Sequence, residues 1–235
     1  PMRIDLIPAG DKVPESLNVL IEVPIGGEPV KYEFDKASGA LFVDRFLHTP
    51  MRYPANYGFV PHTLGEDGDP LDALVVARSP IIAGAVVKCR PIGVLMMEDD
   101  KGGDEKLLCV PVNETFPYYS EVATYKDMPP IVLQQIEHFF THYKDLEPGK
   151  WAKLNGWGDE KDAKRIILEC VERARNMAHE TGRAGWVNVT GALGLCHARN
   201  SYPHCVDRCR PIQTYRSMHG GPDGRPTFAG SAEQA

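Results

Sequence analysis

No stretch of the 235 residues approaches the ~20 consecutive apolar residues that a membrane-spanning helix needs. Basic charge is also in short supply. Lys and Arg number 26 against 32 Asp and Glu, a net charge of −6, whereas a nucleic-acid binder carries a basic excess. The N-terminal PMRIDLIPAG places no charged segment before an apolar core, so no signal peptide is expected. Cys89, Cys109 and Cys170 stand singly inside VVKCRPIGV, KLLCVPV and IILECV and read as small buried hydrophobes in a reducing compartment. These absences point to a cytoplasmic protein with neither a membrane nor a nucleic acid as partner.

What is present divides into three parts. The first ~115 residues are short Val-, Ile-, Leu- and Phe-rich runs punctuated by Gly and Pro: LNVLIEVPIG, VKYEFD, LFVDRFL, DALVVA, AVVKCRPIGVLMM and KLLCVPV. Consecutive strands with no helix between them imply a barrel or sandwich. Two helices follow. PPIVLQQIEHFFTHYKDLEPG carries Val132, Ile136, Phe139, Phe140 and Tyr143 at helical spacing, and GDEKDAKRIILECVERARN opens with Asp159 as N-cap. KWAKLNGWG is read as the connection between them. The expected fold is α+β: a small barrel with two flanking helices, ending near residue 176. Residues 177–235 have no lysine, 6 Arg against 4 Asp and Glu, and half of the 8 histidines. They read as a low-structure tail of unknown role. Among Cys196, His197, His204, Cys205 and Cys209, no C-x₂₋₄-C pair is followed by a matching H-x₃₋₅-H or a second C-x₂-C, so a structural zinc site is not expected.

The stretch DGDPLDA puts Asp67, Asp69 and Asp72 within six positions. Two carboxylates at ~4 Å repel by a few kcal/mol even at a surface-like dielectric. A calcium EF-hand loop would need Gly and Glu where Asp72 and Arg78 stand, so that pattern fails. A solvated turn suits Asp, Gly and Pro, but Asp72 lies past Pro70 in a strand-like run and shares a face with Leu74 and Val76. A carboxylate turned inward beside two others needs cations, and an all-oxygen donor set favours Mg²⁺ or Mn²⁺. A second acidic cluster, MEDDKGGDEK, holds Asp99, Asp100 and Asp104, with Asp104 and Lys106 on one face. Lys31 shares a face with Glu33, and Arg45 alternates with the apolar Val43 and Leu47. Metals together with Lys and Arg are what a polyphosphate requires.

EVPIGGEPVKYEFDKASGALFVDRFL, YPANYGFVPHTLGEDGDPLDALV, RPIGVLMMEDDKGGDEKLLCVPV and HFFTHYKDLEPGKWAKLNGW together resemble the soluble family I inorganic pyrophosphatases of bacterial type, over about residues 2–176. DGDPLD fits the family signature D-x-D-P-x-D. The resemblance implies a five-stranded OB-like barrel and hydrolysis of pyrophosphate with several Mg²⁺ ions, Mn²⁺ or Zn²⁺ serving as substitutes. It implies that Asp67, Asp72 and Asp104 hold a first metal, Asp72 reaching toward a second, while Asp99, Asp104 and Glu33 serve others. It makes Asp69 the residue that takes the proton of the attacking water or orients it. Lys31, Arg45, Tyr143 and Lys144 would hold phosphate oxygens, with Glu22, Tyr53, Tyr57 and Lys106 completing the polar shell. Asp100 stands where the bacterial pattern often has Glu. A homohexamer is implied as well.

A different class of function, an OB-like module that binds single-stranded nucleic acid, would want a basic groove lined with stacking aromatics. Residues 1–176 carry −8, the whole-chain −6 less the +2 of the tail, which opposes it. Every quoted motif ends before residue 177. Truncation after Asn176 should therefore leave Mg²⁺-dependent phosphate release from pyrophosphate near that of the full chain, measured side by side at equal protein concentration.

Overall fold

The computed structural model of the protein describes residues 1–181. Nine strands and two helices follow one another. They are β1 (Leu17–Val23), β2 (Val30–Asp35), β3 (Ala40–Phe46), β4 (Asn56–Phe59), β5 (Asp72–Val75), β6 (Val86–Asp99), β7 (Gly102–Gly103), β8 (Lys106–Pro111), α1 (Pro130–His142), β9 (Ala152–Gly158) and α2 (Glu160–Thr181). The expected sheet-rich α+β fold with two helices is present. Seven strands form one sheet, and β2 and β3 pair as a separate two-stranded hairpin. Within the large sheet β1 pairs with β4, β4 with β5, β5 with β8, β8 with β6, and β6 with β1.

The sequence reading is corrected at three places. KWAKLNGWG is not merely a connection, because residues 152–158 form β9 and pair with β6. NYGF forms β4, although it is only four residues long and contains a glycine. That glycine has a packing reason: a Cβ on Gly58 would lie 1.9 Å from the carbonyl oxygen of Leu20 on β1, so only glycine permits this approach. Finally, α2 continues to Thr181, five residues into the expected tail, Met177 and Ala178 being good helix formers. The remaining tail expectation, with its Cys and His residues, lies outside the described residues.

Strand alternation distributes the core. Along β5 and just beyond it, Ala73 and Val75 join one cluster and Leu74 and Val76 the other, because successive side chains point to opposite faces. Ile136, Phe139 and Phe140 of α1 cover the cluster that contains Leu74. Ala163, Ile166, Ile167 and Cys170 of α2 cover the cluster that contains Ala73, Cys89 and Cys109. Asp159 starts α2 as expected, its Oδ1 accepting the Lys161 and Asp162 N–H groups at 2.9 and 3.1 Å. Pro91 donates no ladder hydrogen bond, and the β6–β8 register shifts between Pro91 and Gly93.

A buried side-chain hub fixes the loops around β4. Asn56, 0% exposed, accepts the N–H groups of Ile25 (3.0 Å) and Ile81 (2.8 Å) at Oδ1. Its Nδ2 donates to the carbonyls of Val75 (3.4 Å) and Ser79 (3.2 Å). Asn56→Leu keeps the approximate volume but removes the partner of four backbone groups, one in a buried and three in part-buried hydrogen bonds. It should lower unfolding free energy by on the order of 3 kcal/mol, as read by urea denaturation, since each buried unpaired group costs about 1–3 kcal/mol.

Candidate active site

Backbone register assembles the site. β5 and β8 run parallel with Asp72 opposite Lys106. On the other side of β5, Asp72 faces Phe59 of the antiparallel β4, and Tyr57, two residues back, donates its hydroxyl to Asp72 Oδ2 at 2.6 Å. β6 ends at Asp99. The β6–β7 turn then returns the chain so that the Asp104 N–H bonds the Met97 carbonyl at 2.9 Å. The loop that carries Asp67 and Asp69 is closed at its base by the Val60 N–H to Leu71 carbonyl bond at 2.9 Å. The buried Thr63 hydroxyl braces the same base by donating to the Val60 carbonyl and accepting the Leu71 N–H.

Carboxylates and ammonium groups interleave. Lys106, 2% exposed, contacts both Asp72 Oδ2, at 2.5 Å, and Asp104 Oδ1. Burial alone would push the Lys106 ammonium down. The two aspartates more than reverse this, so its pKa lies well above the ordinary lysine value. Asp104 is pushed up by burial and by Asp72, with Lys106 opposing. Lys144 Nζ lies 2.7 Å from Asp99 Oδ2 and 3.7 Å from Asp100. Burial raises the Asp99 carboxyl, but the bonds from Lys144 and the Lys101 N–H win and hold it low. Asp67 is pushed up to about 6, first by burial and then by Asp104, Asp72 and Asp69, despite accepting the Asp69 N–H at 3.0 Å. Burial lifts Tyr53 to about 12. Tyr53, Tyr57, Phe139 and Tyr143 pack against one another beside these charges with centroid separations of 4.7–5.2 Å, Phe139 and Tyr143 stacked and the other pairs tilted.

Lys31, Arg45, Tyr53, Tyr57, Asp72, Asp99, Asp100, Asp104, Lys106, Tyr143 and Lys144 line one cleft. The other four residues singled out from the sequence stand one step away. Asp69 lies at the rim, 3.7 Å from Lys36 and 3.8 Å from Lys101. Asp67 is tied to Asp69, its Oδ1 accepting the Asp69 N–H. Glu33 is paired with Lys31. Glu22 is buried beneath β2, accepting the Phe34 N–H at 2.8 Å. Arg45 corrects the expectation of an apolar face: Val43 is 51% exposed, and the β2–β3 register shifts beside Lys31, so simple alternation does not hold there. Lys101, Phe140, Glu147 and Lys150 also line the cleft and were not singled out. Phe140 sits in the apolar helix stripe, and its ring centroid is 6.0 Å from Lys106 Nζ. Glu147 belongs to DLEPG, whose only sequence signal was helix termination.

The donor set is all oxygen, and the upward push on Asp67 and Asp104 is what an added cation would relieve; both fit hard divalent ions. Among the described residues no three acidic, histidine or cysteine side chains come together as a single ion's shell. Asp72 and Asp104 instead share the ammonium of Lys106.

Known proteins are similar to this chain. A family model described as inorganic pyrophosphatase matches residues 19–175. The inorganic pyrophosphatase of Bradyrhizobium diazoefficiens is 59% identical over 174 residues, 74% of this chain and 98% of that protein. That of Rhodospirillum rubrum is 57% identical over 179 residues, 76% of this chain and 99% of its own length. Among solved structures, an inorganic phosphatase from Anaplasma phagocytophilum matches with a TM-score of 0.71 at 49% identity, covering 72% of this chain and 99% of that one. The inorganic pyrophosphatase of Thermus thermophilus matches with a TM-score of 0.70 at 43% identity, covering 74% and 99%.

Glu22 gives a measurable pH signature. Burial raises its carboxyl to about 8, the Phe34 N–H opposing. Between the ordinary carboxylate range and pH 8 the folded chain keeps a proton that the unfolded chain has lost. Stability should therefore fall as pH rises through that window, by at most about 1.4 kcal/mol per pH unit for one proton. In chelator, Glu22→Gln should flatten the decline of melting temperature from pH 5 to pH 8 and melt above wild type at pH 8. Parallel melting curves for the two proteins would contradict this.

Proposed function

Because the chain belongs to the inorganic pyrophosphatase family, we propose that it hydrolyses inorganic pyrophosphate to two phosphates with the help of several Mg²⁺ ions, Mn²⁺ or Zn²⁺ being able to replace them. The observation that carries this reading is the meeting of carboxylates and cations in one cleft, centred on Lys106 between Asp72 and Asp104. A substrate with high negative charge needs both: ammonium and guanidinium donors for its oxygens, and carboxylates for the metal ions that accompany it.

In this reading Asp67, Asp72, Asp104, Asp99 and Glu33 hold the ions, with Asp100 beside them. When bound, such ions shield phosphate charge and acidify water. Lys31, Arg45, Tyr143 and Lys144 grip phosphate oxygens. Tyr143 stays a hydrogen-bond donor, because burial keeps its phenol from ionising. Asp69, at the open rim, takes the proton from the attacking water. Its side chain is 42% exposed, which leaves it a path to pass that proton to solvent. Glu22, Tyr53, Tyr57 and Lys106 hold the first layer in place. Residues 1–176 form the catalytic domain, and the ring of strand pairings from β1 back to β1 supports an OB-like five-stranded barrel.

The chain works in the cytoplasm as a homohexamer in the same reading. The β2–β3 hairpin supports self-association: Phe42, Val43 and Phe46 are 51–68% exposed there, an apolar surface of the kind a second copy covers. No helix of the described residues is long and apolar enough to cross a membrane.

The discriminating experiment is phosphate release from pyrophosphate against Mg²⁺ concentration. Asp69→Asn should lower turnover about 10²–10⁴-fold, the typical cost of losing a general base, with the Mg²⁺ dependence little moved. Asp72→Asn should weaken Mg²⁺ dependence and turnover together. Wild-type turnover in both variants would return these aspartates to an acidic turn.

A further inference from the structure

Glu147 lies in the turns that follow α1, its N–H bonded to the Lys144 carbonyl at 2.8 Å. Its side chain is 9% exposed, and Oε1 stands 3.2 Å from Arg45 Nε. Both atoms are buried, and neither makes a hydrogen bond of proper geometry. A buried carboxylate oxygen without a hydrogen bond is costly, and its attraction to a neighbouring cation is the term that offsets that cost. The only cation within ion-pair distance of Glu147 among the described residues is Arg45.

Arg45 needs such a hold. It sits on β3, whose residues are mostly exposed and which, among the described residues, pairs with β2 alone. The guanidinium is flanked on one side by Asp44, its Nη1 donating to Oδ2 at 3.1 Å, and on the other by Glu147. Asp44 travels with the hairpin. Glu147 belongs instead to the segment that carries Tyr143 and Lys144. The same junction is bridged by the His48 ring, 3.1 Å from the Leu146 carbonyl, and by the Thr49 hydroxyl, which donates to the Tyr143 carbonyl at 3.5 Å.

We propose that Glu147 is a positioning residue for Arg45, holding the hairpin's guanidinium in register with Tyr143 and Lys144 so that all three meet the phosphate groups of one pyrophosphate. This rests on the pyrophosphatase reading above. Glu147 itself does not touch the substrate. Its effect is on binding through Arg45, so removing its charge raises KM and leaves the chemical step largely in place.

The test uses the full chain at saturating Mg²⁺, with pyrophosphate for kinetics and non-hydrolysable imidodiphosphate for equilibrium binding. Glu147→Gln, nearly the same shape without the charge, should raise KM and weaken imidodiphosphate binding roughly tenfold, the scale of coupling between residues in contact, with kcat within about threefold. In an Arg45→Ala background the same change should cause no further loss of imidodiphosphate binding. Glu147→Asp, with the charge kept but withdrawn by one methylene, should fall between, and it serves the same cycle if the glutamine variant does not fold. Unchanged KM and binding in Glu147→Gln, or an equal loss with Arg45 already removed, overturns the proposal. A lower melting temperature with unmoved KM and binding overturns it too, since that marks a purely structural tether. Wild-type activity is measured alongside. Its absence defeats the pyrophosphatase reading and this inference together, whereas an active wild type with an unmoved Glu147→Gln defeats the inference alone.

Discussion

The parallel pairing of β5 with β8 sets Lys106 beside Asp72, and the rest of the site depends on that buried contact. An ammonium 2% exposed to water loses hydration worth several kcal/mol in a protein interior. It stays charged because Asp72 and Asp104 lie against it. The dependence runs both ways. Asp104 is already pushed toward its neutral form by burial and by Asp72, with Lys106 as the opposing charge. Neither strand can slip by one residue without turning Lys106 or Asp72 to the other face and exchanging a charge for an apolar neighbour. The ionic contact therefore acts on register, and register in turn brings the tips of β4, β5, β6 and β8 to one place.

The charges at this end of the sheet form a self-neutralising set. Lys144 pairs with Asp99, Lys150 with Asp100, Lys31 with Glu33, and Lys36 and Lys101 stand near Asp69. Each such pair holds a donor that phosphate oxygens also attract and an acceptor that divalent ions also attract. A substrate arriving with metal ions offers partners to both halves at once, whereas a bare anion or a bare cation satisfies one half and leaves the other repelled. That arrangement favours substrates that carry their own cations, and it accounts for why so many opposite charges sit together without cancelling the cleft's usefulness.

How much of this was legible depended on the range of the forces involved. The inward turn of Asp72 could be read from LDALVVA, because alternation over a few residues is a local property. The helix stripe of Ile136, Phe139 and Phe140 was readable for the same reason, and all three are buried. The opposition of Asp72 and Lys106, 34 positions apart, was not. It follows from long-range pairing, and no local pattern encodes the register of a parallel strand. β9 escaped because AKLNGWG is half-exposed and holds an internal glycine with φ +91°, so its alternation is broken. β4 escaped because four residues are too short a window for a period. Glu147 and Lys150 escaped for a third reason: charged residues after a helix ordinarily face water, and only the tertiary fold turns Glu147 toward Arg45.

The cations of the cleft also differ in how firmly they are held. Lys106 belongs to the centre of the large sheet, and Lys144 follows a helix whose Phe139 and Phe140 are buried. Lys31 and Arg45 belong to the separate hairpin, which exposes Phe42, Val43 and Phe46. Segments with few buried apolar contacts open more easily than core strands; β2 is anchored by the buried Val30 and Phe34, whereas β3 buries none of its residues and is the looser edge of the cleft. The hairpin's polar ties to the opposite wall are His48 to Leu146, Thr49 to Tyr143 and Arg45 to Glu147, and the adjoining Leu47 is buried in the same apolar cluster as Phe139 and Tyr143. The two hydrogen bonds contribute about 1 kcal/mol each, and the buried Arg45–Glu147 contact is the tie that costs most to break. A rigid wall fixes the reacting groups, and an exposed edge strand can yield for substrate to enter and product to leave. The division between the core-anchored and hairpin-anchored cations thus matches two demands that a phosphate-releasing site makes at once, fixed geometry during the reaction and exchange with solvent after it.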